Sequence, residues 1–150
     1  MPNEIVMLIT ATLSTLGFSI LFYVHPRRLF LATLGGFLTC GVYLLGGRFI
    51  GGELLPSLLG SLAAAGFSEI MARLTKVPVP VYMVPCVIPL VPGGALYNTM
   101  FNFVAGNYPA AAAAGLTALQ IALGISGGIV IASVLGIFIR PRNRHRSHRP

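Results

Sequence analysis

The chain has 150 residues, of which 55% are hydrophobic and 9% charged, and its formal net charge is +7. Soluble domains carry about 25% charged residues, and the three acids of this chain cannot solvate a globular surface of its size. With a mean hydropathy of +0.85, the composition excludes a soluble enzyme, a disordered chain and a disulfide-built secreted scaffold, and points to an all-α integral membrane protein.

A helix needs about 20 mostly apolar residues to cross a hydrocarbon core of about 30 Å. Five stretches meet that length: 4–24, 29–47, 53–72, 77–105 and 110–139. They are separated by HPRR at 25–28, the glycine-rich segment around Arg48, the turn from Arg73 to Lys76, and GNYP at 106–109. Residues 1–139 therefore read as a single five-helix transmembrane domain and 140–150 as a basic cytoplasmic tail. The first stretch lacks a basic leader and a small-residue cleavage site, which predicts a retained span rather than a signal peptide. With the N-terminus outside and the C-terminus inside, Arg27, Arg28, Arg73, Lys76 and the five tail arginines all fall inside, against Arg48 alone outside. That is the charge bias membrane insertion follows. Beside a span, the tail RPRNRHRSHRP fits anionic lipid better than nucleic acid. Cys40 and Cys86 have neither CxxC nor metal-ligand spacing and read as packing residues.

The third span carries Glu53, Ser57, Ser61, Ala65 and Glu69 at four-residue intervals. Glu69 precedes Arg73 by four residues, the favourable order for a helical ion pair. Glu53 stands where a helix begins, so its default role is to complement the positive end of the dipole. Acids at such positions in a membrane helix are also candidates for proton coupling.

The fourth span reads VPVPVYMVPCVIPLVPGGALYNTMFNFVA. As one straight helix its 29 residues would be about 43 Å long, more than an upright span needs. Pro85, Pro89 and Pro92 each lack an N–H and clash with the carbonyl four residues back, which frees the carbonyls of Val81, Pro85 and Ile88. Gly93 and Gly94 then allow a change of direction. The pattern predicts a discontinuous helix broken near mid-membrane, with a second half-helix whose N–H groups point at the break. Transporters build substrate sites from such half-helix ends. Gly94, Asn98 and Asn102 share a face of that half-helix, with Tyr97 beside them, so Pro89, Pro92, Gly93, Gly94, Tyr97, Asn98 and Asn102 are candidate substrate-binding residues.

The fifth span has two small-residue stripes: Ala110, Ala114, Ala118, Ala122, Ser126, and Gln120, Gly124, Gly128, Ala132, Gly136. Small residues at this spacing let helix backbones approach closely. Gln120 reads as a buried amide at the head of the glycine stripe, where it either joins helices or lines a polar path.

The segment VPCVIPLVPGGALYNTM, residues 84–100, with the Ala/Gly-rich span after it, resembles the C-terminal module of the threonine/serine exporter family, in the form found as a separate small membrane subunit. Pro89, Pro92, Gly93 and Gly94 match the motif closely. The resemblance implies a bacterial inner-membrane exporter of small carboxylate-bearing metabolites: threonine and serine, or in split members a dicarboxylate, succinate. It also implies a companion five-helix subunit, for which a homo-oligomer is the alternative, and no cofactor. An assembly subunit without a substrate site is the competing reading. An enzyme is not expected: no histidine lies within a span, no Ser sits in a GxSxG elbow, and no residues form a metal or haem ligand set.

Overall fold

The computed structural model describes residues 2–22 and 24–139; the basic tail lies outside the described residues. The elements are α1 (Pro2–Leu21), α2 (Pro26–Phe49), α3 (Leu54–Thr75), α4 (Pro80–Val87), a 3-10 turn (Ile88–Leu90), α5 (Gly93–Val104) and α6 (Tyr108–Ile139). Among the described residues there is no strand. Helices α1, α2, α3 and α6 are long and apolar enough to cross a membrane, and the bent pair α4–α5 makes a fifth segment if taken as one span.

The connections follow local chemistry. Gly52 adopts φ 90° between α2 and α3, a conformation suited to glycine. α3 ends on Lys76 in the left-handed region, with the Val77 N–H closing back on the Ala72 carbonyl. Gly106, at φ 77°, ends α5, and the Asn107 N–H returns to the Asn102 carbonyl at 2.9 Å. α5 and α6 thereby form a tight antiparallel hairpin.

α3 is the central helix. It packs against α6, α2 and α4, while α1 lies on α2 and α5 on α6. The interfaces are made of small residues. Gly36 of α2 abuts Thr15 of α1, and Gly35 abuts Cys86 and Phe67. Ala32, Ala72 and Tyr82 form an apolar cluster at the C-terminal end of α3, where the Tyr82 hydroxyl reaches Thr75 Oγ1 at 3.1 Å. Buried hydroxyls return to their own helices, as in Thr15 to Ala11, Thr39 to Gly35 and Ser68 to Ala64. No buried side-chain N or O atom among the described residues lacks a partner.

The tightest contact joins α3 and α6, which run parallel. A Cβ added to Gly124 would lie 2.5 Å from the Leu54 carbonyl oxygen and 3.0 Å from the Leu58 nitrogen. One at Gly128 would lie 2.5 Å from the Leu58 carbonyl oxygen and 2.9 Å from the Leu62 nitrogen. The glycine stripe expected on the fifth span is therefore the seam of the bundle, and it meets the Ser57–Ser61–Ala65 ribbon of α3. The alanine stripe behaves differently: Ala118 is buried, but Ala122 and Ser126 are exposed.

This register leaves α6 longer than its neighbour. α6 has 32 residues, about 48 Å at the helical rise. Because Gly124 already sits at the first turn of α3, α6 continues outward past α3 by roughly 20 Å. α5 packs on that projecting part, with Thr99 against Gly115.

The break differs in detail from the expectation. Pro85 is accommodated inside α4, and Pro89 lies in the 3-10 turn, whose Ile88 carbonyl accepts the Val91 N–H at 3.1 Å. The interruption is confined to Val91 and Pro92, and the two halves meet at 44°. Leu90 packs against Gly60 of α3, so the break lies opposite the first third of α3 rather than its midpoint. Proline at a first turn costs the backbone little, which suits Pro80 and Pro89, and α4 holds Pro85 in its interior; the helix ends at Pro92, whose φ is fixed before two glycines.

Gly128→Val places a branched side chain against backbone that cannot yield. It should lower stability by about 1–3 kcal/mol, read as a reduced Tm in detergent. Gly127→Ala meets only Leu58 Cδ1 at 3.8 Å and should leave Tm nearly unchanged.

Candidate functional site

Pro92 sets the start of α5 with φ −76° and ψ 52°. The Gly93 N–H turns back to the Val91 carbonyl at 2.7 Å, and the Leu96 N–H bonds the Pro92 carbonyl at 3.0 Å. The N–H groups of Gly94 and Ala95 have no backbone acceptor among the described residues. They are the free donors expected at a helix start, at the positive end of its dipole.

Gly93 and Gly94 are exposed, and a Cβ at either would meet nothing within 4 Å. Neither has a positive φ. The glycines of the α3–α6 seam are explained by close packing, and Gly52 and Gly106 by conformation. Gly93 and Gly94 have neither reason, as is also true of Gly17, Gly41, Gly47, Gly51 and Gly66; what sets this pair apart is the free N–H groups beside its open space.

The rest of α5 is equally open, with no buried residue. Asn98 is exposed, and its side-chain amide makes no hydrogen bond among the described residues. Asn102 spends its Nδ2 on the Asn98 carbonyl at 2.8 Å. Tyr97 is 67% exposed and stacks on Phe101 at 6.1 Å between ring centroids. Gln120 is exposed, contrary to the expectation of a buried amide. Its stripe faces α3, but α3 has already ended at that level, so the amide stands just beyond the first turn of α3.

Glu53 immediately precedes α3 yet makes no capping hydrogen bond through its side chain. Its carboxylate is half-buried and accepts a hydrogen bond from the Tyr43 hydroxyl of α2 at 2.7 Å. Tyr43 and Leu90 converge on Gly60, so the Tyr43–Glu53 pair lies beside the end of the 3-10 turn. The α5–α6 hairpin register, set by Thr99 against Gly115, brings Gly93 level with about Ile121. The α3–α6 register brings that position level with Glu53. Pro92, Gly93, Gly94, Glu53 and Gln120 thus share one level of the molecule, while Asn98 and Asn102 lie farther out along the hairpin. Tyr43 was not among the expected residues. Its signal was the four-residue link from Ile50 to Glu53, which turns the last turns of α2 toward the start of α3.

Glu69 is elsewhere, 16 residues along α3 and about 24 Å from Glu53. It pairs with Arg73 at 2.9 Å, as expected, and Arg73 also donates to the Gly136 carbonyl at 2.9 Å. The Glu69 carboxylate occupies the place of the missing Cβ at Gly136. A cleft of about 290 Å³ opens beside this pair, lined by Leu62, Gly66, Ile70, Ala132 and Leu135. Its wall is apolar apart from Glu69 and Arg73, which are already engaged. Among the described residues there is no cluster of His, Cys, Asp and Glu fit to hold a metal.

A protein-family model described as Threonine/Serine exporter, ThrE, matches residues 7–135. No curated protein and no solved structure matches the chain.

Because the space at Gly94 is open, Gly94→Leu should change the stability of the isolated chain by no more than about 0.5 kcal/mol, the ordinary range for an exposed site. Thermal unfolding in detergent beside Gly128→Val checks this contrast.

Proposed function

The chain belongs to the threonine/serine exporter family, whose members are multi-pass membrane exporters, and from that premise we propose that it is one module of a secondary exporter for small carboxylate-bearing metabolites. The substrates are threonine and serine, or a dicarboxylate such as succinate. It acts as a transporter rather than an enzyme and needs no cofactor. The observation that carries this reading is the double glycine at the break, left open with two free N–H groups in an apolar protein. Two free donors at the positive end of a helix dipole stand ready for an acceptor from outside this chain. A substrate carboxylate is an acceptor of the right charge for a helix N-terminus.

The α4–α5 pair acts as one span in this reading. A bend of 44° keeps the chain moving in the same sense, and the two halves together extend about 34 Å, enough for a core of about 30 Å. Five spans then put the N-terminus outside and the C-terminus inside the bacterial inner membrane, with Arg28, Arg73 and Lys76 on the inner face and the basic tail on anionic lipid.

A companion five-helix subunit completes the site. α5 and the outer half of α6 expose Leu96, Tyr97, Met100, Phe101, Leu116 and Leu119, and the polar groups at the break have no cover from this chain. The companion would face them from the other side, as in exporters built from two modules. Pro89 and Pro92 shape the break, Gly93, Gly94, Asn98 and Asn102 receive the substrate, and Tyr97 and Gln120 flank it. Of the two acids proposed for proton coupling, Glu53 is the one at the break; Glu69 is held by Arg73.

Efflux from preloaded cells tests the reading. The chain with its companion should export threonine, serine or succinate, and Gly94→Leu should reduce export at least tenfold, the scale of loss for a misplaced substrate, while still reaching the membrane. Export by the chain alone would replace the companion with a second copy. Full export by Gly94→Leu would remove the break as the site and leave the assembly-subunit reading.

Orientation has its own check. Cysteine introduced at Asn107 should react with an impermeant maleimide from outside, and cysteine at Lys76 only after permeabilisation. The native Cys40 and Cys86 are buried and should contribute little background.

A further inference from the structure

The charges at the break are unbalanced. Glu53 is half-buried, and no Lys, Arg or His nitrogen lies within 4.0 Å of it among the described residues. Glu69, on the same helix, has its cation at 2.9 Å. Glu53 has only a neutral partner, the Tyr43 hydroxyl, which binds Oε2 at 2.7 Å. No donor among the described residues reaches Oε1. Tyr43 fixes one carboxylate oxygen, and the other, which is not buried, is open to a further donor.

We propose that Glu53 is a specificity-determining residue of the export site and Tyr43 its positioning residue. The Glu53 carboxylate receives the ammonium group of an α-amino acid and repels the second carboxylate of a dicarboxylate. The inference rests on the export reading above and selects between its two substrate classes. Tyr43 acts through Glu53. Its hydroxyl holds the carboxylate at 2.7 Å, away from a capping position on α3. Discrimination then comes from a repulsive element against the wrong substrate as well as an attractive one for the right substrate. The other acid at this end of the bundle, Glu4, lines a cleft between α1 and α2 together with Arg48, and Glu69 lies at the far end of α3.

Equilibrium exchange in proteoliposomes holding the full chain and its companion tests this. Exchange of labelled threonine or succinate against the same unlabelled compound needs no driving gradient, so it reads recognition separately from coupling. The wild type should exchange threonine at least about tenfold better than succinate, and Glu53→Gln should bring the two within about threefold. Tyr43→Phe should raise the KM for threonine several-fold with the maximal rate held, a split that a merely structural role would not produce. Should Glu53→Gln fail to assemble, Glu53→Asp carries the test: its retracted charge should raise the threonine KM and leave succinate excluded.

An unchanged threonine-to-succinate ratio in Glu53→Gln, or a wild type that prefers succinate, overturns this assignment and leaves the export reading standing. So does an unchanged threonine KM in both Tyr43→Phe and Glu53→Asp. A wild type that exchanges neither compound overturns both.

Discussion

The backbone contact between α3 and α6 at Gly124 and Gly128 is the constraint on which the rest of the structure depends. Two helices can share backbone contact in only a few registers, because each glycine must face the groove of its neighbour. Here the register places Gly124 at the first turn of α3 and Gly136 at Glu69. Everything outward of Gly124 on α6 is consequently beyond the reach of α3. That overhang gives α5 its partner, leaves Gln120 exposed, and sets the start of α5 level with Glu53. Sliding α6 by one turn would uncouple the break from the acid without altering any residue of either.

The same contact explains why glycine has different meanings along the chain. At Gly124, Gly128 and Gly136 the missing side chain is filled by α3. At Gly52 and Gly106 the backbone takes positive φ. At Gly93 and Gly94 the absent side chains leave volume, next to N–H groups that carry partial positive charge. In a soluble protein water would fill such a place and satisfy those donors. In a membrane protein water must be admitted on purpose, or another molecule must take its place. The free N–H groups beside these two glycines, not the open space alone, are what the proposal of export at the break rests on.

Much of this was legible in the sequence, because proline, glycine and long apolar runs act locally. The four long apolar helices, the start of α5 at Gly93, the Glu69–Arg73 pair and the glycine seam follow from residue spacing alone. The failures share one physical origin. Gln120 was expected to be buried because its stripe was read as facing a neighbour along its whole length, yet α3 starts too late to cover it. Glu53 was expected to cap α3 because the dipole favours it there, yet a tyrosine ten residues earlier on another helix competes for the carboxylate. The break was expected at mid-span with three carbonyls freed, yet a 3-10 turn absorbs Pro89 and reuses the Ile88 carbonyl. Each depends on where a second helix stands, which periodicity along one helix cannot reveal.

Glu53 and Glu69 make the point sharply, since they lie on one ribbon of one helix and begin with the same chemistry. Arg73 lies one turn beyond Glu69, so Glu69 is neutralised within its own helix and then serves to anchor Arg73 to the Gly136 carbonyl. Glu53 has no cation at the corresponding place, because residue 57 is a serine. Its nearest polar neighbour is a phenol, which orients charge without cancelling it. Charge that is cancelled stabilises a contact, whereas charge that is oriented but not cancelled attracts whatever cation next arrives. At one end of α3 the bundle is tied shut by an ion pair. At the other it holds a carboxylate with no cation of the described residues within 4.0 Å, so the two ends of α3 differ in charge although they carry the same acid.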